Sequence, residues 1–237
     1  MAPVKYRSML ILALETSTEF GSCALFHDGE VIERSCPIGR SHSETLLPLV
    51  RELMLEAGLG FAQLDAIAFG AGPGAFTGLR VACGAAQGLA VVHDTPLLPV
   101  TSLETMAVLA GSGKVLALLD ARMGEVYAGA YLVDGFDAVL QGQIRVVTPA
   151  ELVLPDAQGW TACGNGLTAY PMLVERTVAV NMVLRPDILP LAATVAGIAA
   201  LRAARGEGID PALAAPLYIR DKVAKTVAER LNEGGKA

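Results

Sequence analysis

Met9-Leu10-Ile11-Leu12-Ala13-Leu14 is an apolar run that ends on an acid, Glu15, and gives way to Thr16-Ser17-Thr18. It reads as a β-strand closed by a small polar turn. After Gly21 a second run, Ser22 to Phe26, leads into Asp28-Gly29, a hairpin signal. Val31 and Ile32 begin a third strand, so the opening of the chain is a β-meander. The pattern then returns. Val115 to Leu119 is an apolar run ending in Asp120, a short turn passes through Gly124, Val126 to Val133 follows, and Asp134-Gly135 precedes a third strand expected around Ile144 to Val147.

The two halves go on alike. Ala66 to Phe69 is a short strand running into Gly70, Gly72 and Gly74; Trp160 to Cys163 runs into Gly164-Asn165-Gly166; helical stretches follow both. The likeness is one of arrangement, not of residue identity. Gly111-Ser112-Gly113 marks the junction. Strands mixed with crossover helices predict an α/β architecture, a mixed sheet in each of two lobes, at 1–110 and 111–237.

Two helices of the first half ask for cover. Ser41-His42-Ser43-Glu44 fits a capping box. Leu46, Leu47, Leu49, Val50, Leu53, Met54 and Leu55 follow; Pro48 inside the run predicts a kink or a start nearer Thr45, and Gly58 and Gly60 end it. From Leu79 to Val92 only Arg80 and Gln87 are strongly polar, and Gly84 and Gly88 lie on one face. A glycine costs a helix about 1 kcal/mol relative to alanine, so two of them predict another backbone close by. Composition leans the same way. Of 237 residues, 53% are apolar before the 25 glycines are counted, and 18% are charged, against a usual ~25%. A large core uses part of that apolar surface and a permanent partner would use the rest.

Other classes are disfavoured. No run approaches the ~18–20 apolar residues of a membrane-spanning helix, and Met1 to Ser8 with the brief run after it is too short for a secretory signal, so the cytoplasm is the expected compartment. Cys23, Cys36, Cys83 and Cys163 make no C-x-x-C pair. A formal net charge of −6 argues against autonomous nucleic-acid binding.

Gly72-Pro73-Gly74-Ala75-Phe76-Thr77-Gly78-Leu79-Arg80 joins a strand to a helix N-terminus. That geometry can hold an anion on free backbone N–H groups, or can be a tight turn that only glycine allows. It is neither a Walker loop nor a dinucleotide fingerprint.

The same nine residues closely resemble the signature of the TsaB family, also called YeaZ. Leu12 to Thr18, His42-Ser43-Glu44 with Leu46-Leu47-Pro48, Asp120-Ala121-Arg122 with Glu125-Val126-Tyr127, Gly164-Asn165-Gly166, and Pro216 to Asp221 as a closing strand resemble it in order, over nearly the whole chain. The resemblance implies two ribonuclease-H-like lobes of the actin and sugar-kinase (ASKHA) type. It implies a non-catalytic scaffold that binds the transferase TsaD and, with the ATPase TsaE, supports threonylcarbamoyl transfer to the adenosine beside the tRNA anticodon. It also implies no catalytic residue, metal or cofactor of its own, contact with tRNA only through the complex, and a possible homodimer in the absence of TsaD. The expected interface is Leu46, Leu49, Val50 and Leu53 on one helix and Val81, Gly84, Ala85 and Gly88 on the next.

In the superfamily an acid at the end of the first strand helps place magnesium near phosphates. Glu15 stands there with one methylene more than the usual aspartate. Glu15, Gly72, Gly74, Thr77, Gly78, Gly164 and Gly166 are the candidates for a vestigial anion or nucleotide site. Where TsaD carries two metal-binding histidines four apart, this chain has Ser102 and Met106, and its only histidines are His27, His42 and His93. A kinase or ATPase of the same superfamily using Glu15 and both glycine turns is one alternative, and a peptidase is another. Lys222, Lys225 and Arg230 read as a solvated helix face.

Overall fold

A computed structural model describes residues 9–155 and 158–220. The first half supplies β1 (Leu10–Glu15), β2 (Ser22–His27), β3 (Glu30–Ser35), α1 (His42–Glu56), β4 (Ala66–Gly72), α2 (Phe76–Ala90), β5 (Leu97–Thr101) and α3 (Ser102–Ala110). The second supplies β6 (Gly113–Arg122), β7 (Glu125–Asp134), β8 (Asp137–Leu140), β9 (Arg145–Val147), β10 (Trp160–Cys163), α4 (Gly166–Ala169), α5 (Pro171–Ala179), β11 (Val183–Arg185) and α6 (Ala192–Ala204).

Both sheets repeat one strand order. In the first it is β3-β2-β1-β4-β5, with β1–β2 and β2–β3 antiparallel and β1–β4 and β4–β5 parallel. In the second it is β8-β7-β6-β10-β11, with the same alternation of antiparallel and parallel pairs. This is the ribonuclease-H-like arrangement, written twice. The third strand of the second meander lies earlier than expected. Asp134-Gly135 turns directly into β8, and the Ile144–Val147 stretch forms a separate short strand, β9, that pairs farther along β7. A tight turn fixes its partner strand within a few residues, which a reading that jumped to Ile144 overlooked.

The strands are apolar throughout because both faces are covered. Along β1, Leu10, Leu12 and Leu14 join α1 and α2 in one core, while Ile11 and Ala13 face the middle of the molecule. Along β6, Leu116 and Leu118 pack with Leu167 and Leu173 beyond the second sheet, and Val115, Ala117 and Leu119 face the middle. The two sheets therefore share a central core.

That core is built across the expected division at 1–110 and 111–237. α6 packs over β1, β2 and β4 of the first sheet, while α3 packs over β6 and β7 of the second. Alanines on both sides, Ala13, Ala24, Ala66 and Ala68 below and Ala192, Ala196 and Ala199 above, let α6 approach closely. The first lobe also supplies partners for its free N-terminal amides. Ala192 N donates to Ser22 Oγ at 2.9 Å and Ala193 N to Glu33 Oε1 at 3.0 Å. At the other end Arg202 donates to both oxygens of Glu104 at 2.7 and 2.8 Å and to Pro99 O at 2.6 Å. Burial pushes the Glu104 carboxyl up, and Arg202 opposes that push. Arg202→Ala leaves a carboxylate inside the fold without its counter-ion, and should destabilise the protein by roughly 3 kcal/mol in urea unfolding.

Candidate functional site

The glycine-rich turn after β4 faces the turn after β1. A Cβ at Gly70 would fall on Glu15 Oε2, one at Gly74 on the Ser17 carbonyl oxygen, and one at Gly78 on the Thr16 carbonyl oxygen. Gly72 has φ of +104° and would in addition press on Leu79. Two hydrogen bonds hold the turns together: Ala75 N donates to Ser17 O at 2.7 Å, and Thr16 Oγ1 donates to Gly78 O at 2.7 Å. The glycines are explained by backbone lying against backbone, and the amide of Ala75 is already engaged. The Ala75 amide is thus not available to an anion, while Gly74, Thr77 and Gly78 line the cleft.

Glu15 is fully buried. Its Oε1 accepts from Ser17 N at 2.5 Å, and Oε2 has no partner among the described residues. Desolvation pushes its pKa up, against the pull of the Ser17 and Thr16 hydrogen bonds. The side chain does not line the cleft, so the acid stands at the superfamily's position but turns inward against Gly70.

The second lobe repeats the contact. Cβ atoms at Gly164 and Gly166 would crowd the Leu118 carbonyl, and the Met106 side chain fills the remaining space at Gly164. Asp120, the counterpart of Glu15, does face the cleft. It accepts from Tyr170 Oη at 2.8 Å and from Arg122 N at 2.9 Å, while its own N–H donates to Asn165 Oδ1 at 2.9 Å. Burial first, and then the Asp120 carboxylate, push the Tyr170 phenol up to about 12.

Between the lobes these turns enclose a cleft of about 440 Å³, lined among others by Ser17, Arg40, His42, Thr77, Asp120 and Arg122. Ser102 and Met106, which the resemblance sets against the histidine pair, are both fully buried. Among the described residues no three His, Cys, Asp or Glu side chains are grouped to hold a metal.

The outer face of the first lobe is made by α1 and α2. α1 starts at His42 as expected, but without the capping box: Ser41 Oγ meets Ser43 Oγ at 2.6 Å instead of an amide, and Glu44 leans toward Arg40. Pro48 is accommodated inside the helix on its exposed side. Leu46, Val50 and Leu53 turn inward and are buried against the sheet, with Leu49 half-buried. They cannot meet a partner directly; Leu47 and Leu55, 48% and 69% exposed, stand outward in their place. On α2 the outward residues are Thr77, Arg80, Gly84 and Gly88, with Val81 and Ala85 half-buried. Among the described residues nothing lies within 4 Å of where a Cβ would stand at Gly84 or Gly88. Val91 and Val92, 66% and 70% exposed, extend the face past the helix end.

The model of a family described as "TsaD: tRNA N6-adenosine threonylcarbamoyltransferase" matches residues 37–159. The tRNA threonylcarbamoyladenosine biosynthesis protein TsaB of Escherichia coli K12 is 37% identical over 228 residues, spanning 91% of this chain and 96% of that protein. The chain belongs to the TsaB family. The TsaB protein of Haemophilus influenzae is 33% identical over 238 residues, spanning 92% and 96%. In structure, YeaZ from Pseudomonas aeruginosa superposes with a TM-score of 0.80 at 40% identity, covering 89% of this chain and 99% of that one.

The closing strand that the resemblance places at Pro216 to Asp221 is not a strand in its described part: Pro216 to Arg220 is an extended segment outside both sheets. It crosses from Ala71, whose carbonyl accepts from Leu217 N at 2.7 Å, to Glu125, which pairs with Arg220. On the way Tyr218 packs on Phe76 and receives the Arg80 Nε donor at 3.1 Å. Lys222, Lys225 and Arg230 lie outside the described residues.

Two glycines of α2 should respond to alanine with opposite signs. Gly78→Ala drives a methyl into the Thr16 carbonyl and should destabilise strongly, whereas Gly84→Ala should stabilise the free chain by about 1 kcal/mol in thermal or urea melts. Glu15 sets a pH dependence. Its folded pKa is raised, so the folded state binds this proton more tightly than the unfolded state and this contribution to stability falls as pH rises above the ordinary 4.5. Glu15→Gln should therefore gain stability over wild type by more at pH 7.5 than at pH 5 in parallel urea titrations.

Proposed function

We propose that this chain is a cytoplasmic, non-catalytic subunit of the machinery that makes threonylcarbamoyladenosine in tRNA, a scaffold that binds and activates TsaD through α1 and α2 and works with TsaE. The names of its full-length relatives tie the family to that biosynthesis. The finer role rests on the outer face of α2. Its glycines leave the backbone bare at Gly84 and Gly88, with Val81 and Ala85 alongside and Leu47 and Leu55 of α1 standing outward nearby. A helix interior gives up stability at each glycine, and among the described residues no close contact repays it there. A helix from another protein, crossing at Gly84 and Gly88, would approach backbone to backbone. In the absence of TsaD the same face pairs two copies of the chain, an isologous contact.

The inward turn of Glu15 supports a helper role over a kinase-like one, because the acid that a magnesium site would need at the end of β1 is packed under Gly70. With a net charge of −6, tRNA is met through the assembled complex.

Mixing the chain with TsaD of the same organism should give a one-to-one heterodimer in size-exclusion chromatography with light scattering. Gly84→Arg, whose side chain points into open space in the free protein, should leave the melting curve close to wild type. It should weaken that association by about 100-fold or more, since an unpaired charge would be buried in the contact. Two folded proteins that stay separate with nucleotide and TsaE present would overturn the reading.

A further inference from the structure

Glu15 is a carboxyl group taken fully out of water with no counter-ion among the described residues. An apolar side chain would occupy the same space without that desolvation. What an apolar side chain lacks is an acceptor for the Ser17 N–H, which Glu15 Oε1 binds at 2.5 Å. That bond folds the turn back on its own strand. The turn so held presents the Ser17 carbonyl to Ala75 N and the Thr16 hydroxyl to Gly78 O, both at 2.7 Å. Ala75 and Gly78 are the cap and first turn of α2. Every step from the carboxyl to the helix is thus a short polar contact, and Gly70, Gly74 and Gly78 each leave open the space that Glu15, Ser17 and Thr16 respectively fill.

We propose that Glu15 is a positioning residue for the docking helix: its carboxyl locks the Thr16–Thr18 turn against the glycines and so fixes where α2 begins over the sheet. Glutamate reaches back to Ser17 and lies against Gly70; an aspartate would accept the same amide, as Asp120 does from Arg122 N at 2.9 Å, so the acceptor rather than the length of the side chain holds the turn. The significance for assembly rests on α2 being the docking face; the positioning itself does not.

The test uses the full chain with Glu15 replaced by Gln, Leu or Ala. Backbone hydrogen exchange is read at Ala75 to Arg80, with α6 and the β6–β7 turn as internal references, and affinity for TsaD is measured beside it. Gln, which keeps an acceptor for Ser17 N, should exchange within about twofold of wild type and bind TsaD as tightly. Ala should speed exchange at Ala75 to Arg80 by about tenfold, with the reference regions unchanged, and should weaken TsaD binding by a similar factor. Leu, which fills the space but offers Ser17 N no acceptor, should behave as Ala does, and decides the matter if the alanine chain does not fold. Exchange at Ala75 to Arg80 that is unchanged in Leu and Ala, or that rises equally throughout the molecule, would overturn the proposal. A wild-type chain that does not bind TsaD removes the docking reading alone, because the exchange measurement still decides what Glu15 positions.

Discussion

Two backbone turns in direct contact set the geometry of the first lobe. Peptide groups can approach this closely only where one side carries no Cβ, and Gly70, Gly74 and Gly78 supply that side at even spacing. Because the contact joins the ends of β1 and β4 to the start of α2, it fixes the floor of the cleft and the seat of the helix together. The second lobe solves the same problem with Gly164 and Gly166 against the Leu118 carbonyl. The glycines in both lobes are thus conditions of packing before they are conditions of binding.

The apolar excess of the composition is spread over three cores rather than one. Two sheets covered on both faces need apolar residues at nearly every strand position, which accounts for the unbroken runs at β1 and β6. What remains outside is scattered over both lobes, Ile38, Val153, Val183 and Leu213 included. Leu47, Leu55, Val91 and Val92 stand exposed on α1 or just past the end of α2. The polar surface of the cleft is organised differently, around Asp120, Tyr170 and Asn165, each tied to its neighbours.

The strands were legible because period and turn chemistry are local: β1, β2 and β10 fall where the apolar runs and the Asp-Gly and Gly-Asn-Gly signals put them. Helix faces were less so. The first-half helix is apolar nearly all round, and only its packing decides that Leu53 faces in and Leu55 faces out. The glycine turn was recognised as special, but a sequence does not say which atoms will fill the room a glycine leaves. Glu15 was read from its place at a strand end, while its role depends on Gly70, a residue far along the chain. The exchange of α3 and α6 between the lobes left no trace in a reading that looked for two self-contained halves.

That exchange has a bearing on how the molecule is made. The inner face of the first sheet is closed by Ala192–Ala204, the last regular helix among the described residues, with Ser22 and Glu33 waiting for its first amides. During synthesis the first five strands emerge long before that helix, and in the interval Ile11, Ala13, Ala24, Ala66 and Ala68 have no permanent cover. Closure spans a sequence separation of 170 residues between Ser22 and Ala192, a long loop to close, and one that slows the final step. The chain is therefore exposed to aggregation until nearly all of it has been translated, and neither half is a unit that chaperones could release on its own.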